Sequence, residues 1–350
     1  MGINRIVGIT LGMAMTVVFS GCSVIDEDLS DCGEELKELR LDYDLHLVTN
    51  LNIELQKEFD SQVDAGILKA LRNYLSPIFT DYAHDLDLSF YDHQGDFARL
   101  HHEEHMMDAN ELSFSIYIPQ RQYMHTAFAN LEHNGVVSFE GGDYAHEARF
   151  LQSGSDTSQP HKTGLFSARK MLKLSEQNNE TVYVHLYMAN CAAALILDTS
   201  EASLKDLKVL STGFASGFNI TDSTYVFSDN PPMILTDKIN TGSNGRQCFC
   251  TVNFPSPEPA AATRVTIDTE DPFVSVDASE ALWQFDVQAT LPDGKVTRSV
   301  LGVRTPLRAG QLKILHARMY ANGGLEPGEK EVAVSVTLDW KEAGNYPVPL

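Results

Sequence analysis

Positive charge is scarce in this chain. Its 350 residues include 26 Lys and Arg against 48 Asp and Glu, which gives a net charge of −22 at pH 7. Proteins that bind nucleic acid need Lys and Arg side chains to neutralise phosphates, and this sequence offers no basic stripe. The composition therefore argues against a nucleic-acid partner and indicates electrostatic repulsion at a crowded surface.

Patterns typical of enzymes and cofactor sites are also missing. The sequence has no phosphate-binding glycine loop, no EF-hand loop and no credible Ser/His/Asp set. The run from His101 to His105 suggests a zinc-protease HExxH helix, but the register fails because the residue four after His102 is Met106. We interpret the run as a solvated polar loop in the far arm of a hairpin, and Asp42 and Asp44 as solvated carboxylates on a strand. We predict no enzymatic activity, no cofactor and no metal site.

Long apolar runs are absent beyond the N-terminus. Residues 1–21 have the layout of a signal peptide: Arg5 precedes an apolar run from Ile6 to Phe19 that is shorter than a typical bilayer span. The run ends in Phe19-Ser20-Gly21-Cys22, which resembles the lipobox of bacterial lipoproteins. That resemblance implies cleavage before Cys22 and acylation of Cys22 with palmitate-type chains, each buried methylene contributing about 0.8 kcal/mol. The alternative is an ordinary cleaved signal peptide with an incidental cysteine.

The segment behind Cys22 is acidic. Asp26, Glu27, Asp28 and Asp31 follow it closely, and this pattern resembles the export tag of surface-exposed lipoproteins in some Gram-negative anaerobes. The resemblance implies that residues 22–35 are a lipidated tether on the outer membrane, with the protein exposed at the cell surface. The alternative is that the acidic residues form only a solvated tether.

Cysteine is scarce as well. Of the five cysteines, Cys32, Cys191, Cys248 and Cys250 remain after Cys22, and four cysteines allow three pairings. Cys248 and Cys250 lie two apart in a predicted strand, so their side chains point the same way and should not bond each other easily. The pairing stays open.

Alternation of apolar and polar residues predicts a mainly β fold. In residues 36–151, strands are expected at 39–47, 86–90 and 112–118, and a helix where apolar residues repeat every four positions from Leu55 to Leu71, ending at Pro77. Residues 152–162 have the polar, turn-forming composition of a linker. Residues 163–350 carry denser strand signals, which favour a second β-sandwich; the predicted strands are 181–187, 192–197, 247–254, 264–267, 282–290, 295–301 and 331–340. Trp283 and Phe285 are expected in its core.

Several stretches together resemble fimbrillin-associated anchor lipoproteins, the minor subunits of type V pili of Gram-negative anaerobes. The resemblance covers most of the mature chain and rests on these segments: Glu27–Cys32, Asp85–Asp92 with Gly95, Ile116–Pro119, Tyr123–Asn130, Gly164–Phe166, Val182–Leu186 and Trp340. The helical segment at 52–76 is longer than a typical member would show.

The resemblance implies two tandem transthyretin-like β-sandwich domains, the first with a packed helix. It implies a pilus anchor or assembly subunit that joins a fimbrillin-type shaft subunit to the outer membrane through strand-groove contacts, with the lipid on Cys22 as the membrane attachment. Strand 331–340 and the tail 341–350 are candidate donor elements, or else an ordinary closing strand and its tail. Two other functions stay open: a surface glycan-binding lipoprotein of a nutrient uptake system, marked by exposed aromatic residues, and a surface hydrolase, marked by a deep pocket lined with carboxylates.

Overall fold

The computed structural model describes residues 38–48, 65–79, 83–107, 113–154, 156–174, 180–242, 245–259 and 281–328, and the backbone of 332–340 and 343–348. Helix α1 spans Ala65–Leu75. The strands form four sheets. Sheet I contains, in spatial order, β3 (Arg99–Met106), β2 (Asp85–Asp92), β5 (Gln122–Ala129), β9 (Phe166–Lys173), β10 (Glu180–Met188), β1 (Glu38–Val48) and β4 (Ser113–Pro119). Sheet II contains, again in spatial order, β14 (Thr224–Val226), β13 (Gly217–Asn219), β7 (Arg149–Gln152) and β6 (Val137–Glu140).

The later part of the chain forms the other two sheets, whose strands follow in the same spatial order. Sheet III contains β16 (Asp237–Ile239), β17 (Arg246–Asn253), β11 (Cys191–Asp198), β20 (Leu312–Met319) and β21 (Leu325–Pro327). Sheet IV contains β23 (Ala343–Val348), β22 (Val332–Trp340), β19 (Val296–Val303), β18 (Trp283–Thr290), β12 (Asp206–Thr212), β15 (Met233–Leu235) and β8 (Thr157–Ser158).

Sheet I folds over on itself and so makes a two-layered sandwich. Its end strands β3 and β4 are six strand spacings apart in the sheet, about 29 Å if the sheet were flat. Yet the ring of His105 on β3 lies 4.4 Å from that of Phe114 on β4. The sheet bends between β9 and β10. These strands share only two paired positions, Tyr187 with Ser167 and Met188 with Phe166. One layer is therefore β3-β2-β5-β9 and the other is β10-β1-β4.

Helix α1 fills the space between sheets I and III. Its apolar stripe, Ile67, Leu68, Leu71 and Leu75, is fully buried. The stripe belongs to a core that includes strand β1 and also one face of sheet III. The Tyr74 hydroxyl donates a hydrogen bond to Asp237 Oδ2 at 2.6 Å, which ties the helix to the β15–β16 segment. The helix thus packs on both sheet I and sheet III.

Strand β11 is buried on both faces, which explains its continuous apolar sequence. Ala192, Ala194 and Ile196 face the core shared with α1. Cys191, Ala193, Leu195 and Leu197 face the second core, between sheets III and IV. Trp283 and Phe285 lie in this second core at 1% and 0% exposure, so the prediction for both is confirmed.

The prediction of a mainly β fold with a packed helix is confirmed. The transthyretin-like form of the two domains stays a prediction, and the expected strand 264–267 and helical residues 52–64 lie outside the described residues. All described residues belong to one compact unit, Glu38–Leu350. Strands β9 and β10 join sheet I, so the chain passes from sheet I to sheet III between Met188 and Cys191. The division into domains at 152–162 stays a prediction.

Candidate functional site

The proposed lipid site lies outside the described residues. Cys22 and the tether 22–35 precede Glu38, where strand β1 and the described part of the chain begin. Lipidation of Cys22 therefore stays a prediction. Within the described residues, no helix combines the length and apolarity needed to cross a bilayer.

The histidine-rich run forms an edge strand, not the solvated loop expected from its polarity. Strand β3 pairs with β2 through a regular antiparallel register, so its side chains alternate between two faces. On one face, Glu103 lies between His101 and His105, with carboxylate oxygens 2.7 and 2.9 Å from their Nε2 atoms. On the other face, His102 lies beside Asp87 of β2. Sequence reasoning missed Asp87 because only the strand register brings it next to a residue fifteen positions away.

Asp42 and Asp44 on β1 contact polar neighbours at the protein surface. Asp42 Oδ1 accepts a hydrogen bond from Ser115 Oγ at 2.6 Å and another from Arg40 Nε at 2.8 Å. These partners, Ser115 foremost, hold the pKa of Asp42 below its usual range. Asp44 lies 3.5 Å from His46. The arrangement keeps Asp42 ionised.

Three buried cysteines are free thiols. Cys248 and Cys250 face the same core, as predicted, whereas Cys191 faces the opposite side of sheet III. Burial raises the pKa of all three thiols, that of Cys248 to about 12. Because the thiolate is the reactive and metal-binding form, these side chains act as core residues at neutral pH.

The outward face of the β10-β1-β4 layer exposes three tyrosines, which we call the tyrosine face: Tyr117, Tyr183 and Tyr187. They are 59%, 56% and 60% exposed. His185, between the two tyrosines of β10, stacks on His46 with ring centres 5.4 Å apart. Aromatic rings presented on a rigid sheet can stack on an apolar partner surface while their hydroxyls hydrogen-bond.

A groove of about 370 Å³ opens beside this face. Its lining includes Arg169, His185, Tyr187, Phe218 and Tyr225. Three grooves of the described residues, this one included, have no Asp or Glu in their lining. None of the three therefore has the carboxylate-lined form expected of a hydrolase site.

The strands that end the described sheets are the second surface feature. Sheet I ends at β3 and β4, and sheet III ends at β16 and β21. An edge strand carries backbone groups without a partner strand, and a strand from another protein can pair with them. Strand β22 pairs with β19 on one side and β23 on the other. Of the two candidate donor elements, strand 331–340 is thus already an internal strand of sheet IV.

Comparison with known proteins gives matches among solved structures only. No family model and no curated protein matches the chain. A candidate adhesin from Bacteroides thetaiotaomicron is 9% identical, with a TM-score of 0.48 over 85% of this chain and 98% of that one. The fimbrial anchor protein Mfa2 from Porphyromonas gingivalis is 8% identical, with a TM-score of 0.47 over 86% and 96%. A candidate polysaccharide-binding protein from Bacteroides thetaiotaomicron is 9% identical, with a TM-score of 0.46 over 86% and 96%.

These similar structures include a fimbrial anchor protein. At such identities and TM-scores, the function has to be argued from the residues of this chain.

Proposed function

We propose that this protein is a lipid-anchored anchor or assembly subunit of a surface fimbria. Acyl groups on Cys22 hold it in the outer membrane, and its β-sandwich body binds a fimbrillin-type shaft subunit. The observation that carries the proposal is the position of the lipobox relative to the first strand.

Only residues 23–37 separate Cys22 from the start of β1 at Glu38. Fifteen residues span at most about 50 Å, even when fully extended. A sandwich held within that distance of the bilayer occupies the base of an assembly, because a shaft subunit has to leave the membrane as the fibre grows. The acidic residues of the tether keep this link hydrated.

The body offers the means of joining a partner. Among the described strands, β3 and β4 end sheet I and β16 and β21 end sheet III. An end strand can accept a strand from a neighbouring subunit. Backbone hydrogen bonds would supply affinity, and alternate side chains would supply specificity. We therefore place the contact with the shaft at a sheet edge.

The first test is mild crosslinking of cells, followed by purification of the protein from the outer-membrane fraction and mass spectrometry. The proposal expects fimbrillin-type shaft subunits in the crosslinked ladder and incorporation of labelled palmitate. Cys22→Ala should remove the label and release the protein from the membrane. Cys191→Ala, which removes a cysteine but leaves the lipobox intact, is the control and should behave as wild type. Recovery of a porin-type transporter without fimbrillin would contradict the proposal.

The tyrosine face favours a second candidate, a surface glycan-binding lipoprotein. Tyr183, Tyr187 and the adjoining groove provide aromatic and polar groups on one rigid layer. A glycan array with the purified protein tests this function. Binding that is lost in Tyr183→Ala and Tyr187→Ala, but retained in the exposed control Tyr144→Ala, would support it over the fimbrial function. Absence of binding would remove this candidate.

A further inference from the structure

The outer face of the β2–β3 hairpin brings together a histidine and two carboxylates. In the antiparallel register, Asp87 is opposite Glu104, and Ser89 is opposite His102. Cross-strand neighbours have Cβ atoms about 5 Å apart, so these four side chains share one small area of the sheet. None of them belongs to the tether or to the tyrosine face.

The potential ligand atoms converge. His102 Nε2 lies 2.6 Å from Asp87 Oδ2 and 3.8 Å from Glu104 Oε1. One ligand atom from each of the three residues lies within 4.8 Å of the other two. Tetrahedral zinc ligands at 2.0–2.2 Å from the ion are separated by about 3.3 Å. Small side-chain rotations would bring the three atoms to that spacing.

The carboxylate of Asp87 is largely buried. Its side chain is only 11% exposed, and its single ion-pair partner among the described residues is His102. Two carboxylates beside one imidazole leave an excess of negative charge even when the imidazole is protonated. A divalent cation would neutralise that excess.

The other carboxylate oxygen of Asp87, Oδ1, is held by a hydrogen bond. Ser89 Oγ donates a hydrogen bond to Asp87 Oδ1 at 3.2 Å, and Ser89 is fully buried. This contact orients the carboxylate so that Oδ2 points to His102. Hydrogen bonds of this kind hold metal-binding carboxylates in place in known sites.

We propose that Asp87, His102 and Glu104 form a binding site for a divalent transition-metal ion such as Zn²⁺. His102 supplies a neutral imidazole nitrogen, each carboxylate supplies one oxygen, and water completes the tetrahedron. The ion lies between His102, Asp87 and Glu104. It links edge strand β3 to its neighbour β2 and so stiffens the exposed end of sheet I.

Calorimetric titration of the full-length purified protein with ZnCl₂ tests the proposal. The expected result is one ion bound per chain at this site, with affinity at least about tenfold lower in His102→Gln and in Glu104→Gln. Glu104 is 77% exposed, so Glu104→Gln serves as the variant that folds if His102→Gln does not. Ser89→Ala should weaken binding by about 10- to 100-fold without changing the stoichiometry.

The opposite face of β3 provides the matched control. His101→Gln and His105→Gln remove imidazoles from the same strand but leave the three proposed ligands intact, so binding should be unchanged. The proposal is overturned if Zn²⁺ does not bind, or if binding survives Glu104→Gln. It is equally overturned if the His101 and His105 variants abolish binding, or if Ca²⁺ binds more tightly than Zn²⁺.

Discussion

At Gly164 the chain passes so close to a neighbouring segment that a side chain has no space. A Cβ atom at this position would lie 2.2 Å from the Ile78 carbonyl oxygen and 3.0 Å from Met188 Cε. Ile78 follows helix α1 and Met188 ends strand β10. The glycine therefore allows the end of the helix to pack against the segment that leads into β9.

We expect Gly164→Ala to lower the free energy of unfolding by about 1–3 kcal/mol, because the added methyl overpacks a site bounded by backbone. Gly154→Ala is the matched control, since a Cβ there would meet nothing within 4 Å. Urea denaturation of both variants measures the difference. Equal midpoints would show that the segment shifts at no cost.

The sequence alone does not explain why position 164 needs a glycine. The resemblance marks Gly164–Phe166 as a landmark, but nothing in the sequence says what excludes a side chain there. The cause is a carbonyl oxygen 86 positions earlier in the chain. Asp87 is a similar case, because its partner His102 becomes a neighbour only through the strand register.

At the scale of elements, helix α1 depends on burial of one stripe. Leu71 is fully buried among residues of sheets I and III, whereas Lys69 in the same helix is exposed. Leu71→Ala should lower the free energy of unfolding by about 2–5 kcal/mol, through lost burial and a residual cavity. Lys69→Ala should stay within about 0.5 kcal/mol of wild type. Thermal or urea unfolding separates the two, and similar values would mean that the stripe contributes little to stability.

Element-scale predictions succeed where the pattern is one of simple alternation. Strands β1, β4 and β10 each place apolar residues on one face and polar residues on the other, and the alternation predicts all three. The loop predicted in place of strand β3 is wrong because both faces of that strand carry His and Glu, so no apolar face marks it as a strand. Pairing with β2 holds it in the sheet, and the rings of His101 and His105 pack on Phe90 and Phe114.

For the whole molecule, two buried histidines make stability depend on pH. Burial lowers the pKa of His125 to about 4 and that of His161 to about 3. In the unfolded chain a histidine titrates near 6.5. Between about pH 6.5 and 4 the unfolded state therefore binds protons that the folded state does not. The contribution of the two neutral histidines to stability is fully present above this window. The free energy of unfolding falls as the pH drops through it, by up to about 1.4 kcal/mol per pH unit for each histidine.

Unfolding by urea between pH 5 and 7 measures this slope. His161→Gln should make the slope shallower, because one of the buried histidines with a lowered pKa is lost. His133→Gln, which changes an exposed histidine, should leave the slope as in wild type. A slope that is the same in all three proteins would mean that His161 is not a linked group.

Local sequence is enough to account for the strong net acidity, the alternating strands and the apolar stripe of α1, whereas the lipobox at Cys22 stays a prediction. Each depends on residues close together in the chain. Which distant segments meet depends on the tertiary structure. Sheet I folds over so that His105 contacts Phe114, and strands β9 and β10 pair within that sheet. Helix α1 lies between sheets I and III. The tertiary structure also sets Asp87 beside His102 and Glu104, because side chains on neighbouring strands become a site only when backbone pairing sets their register.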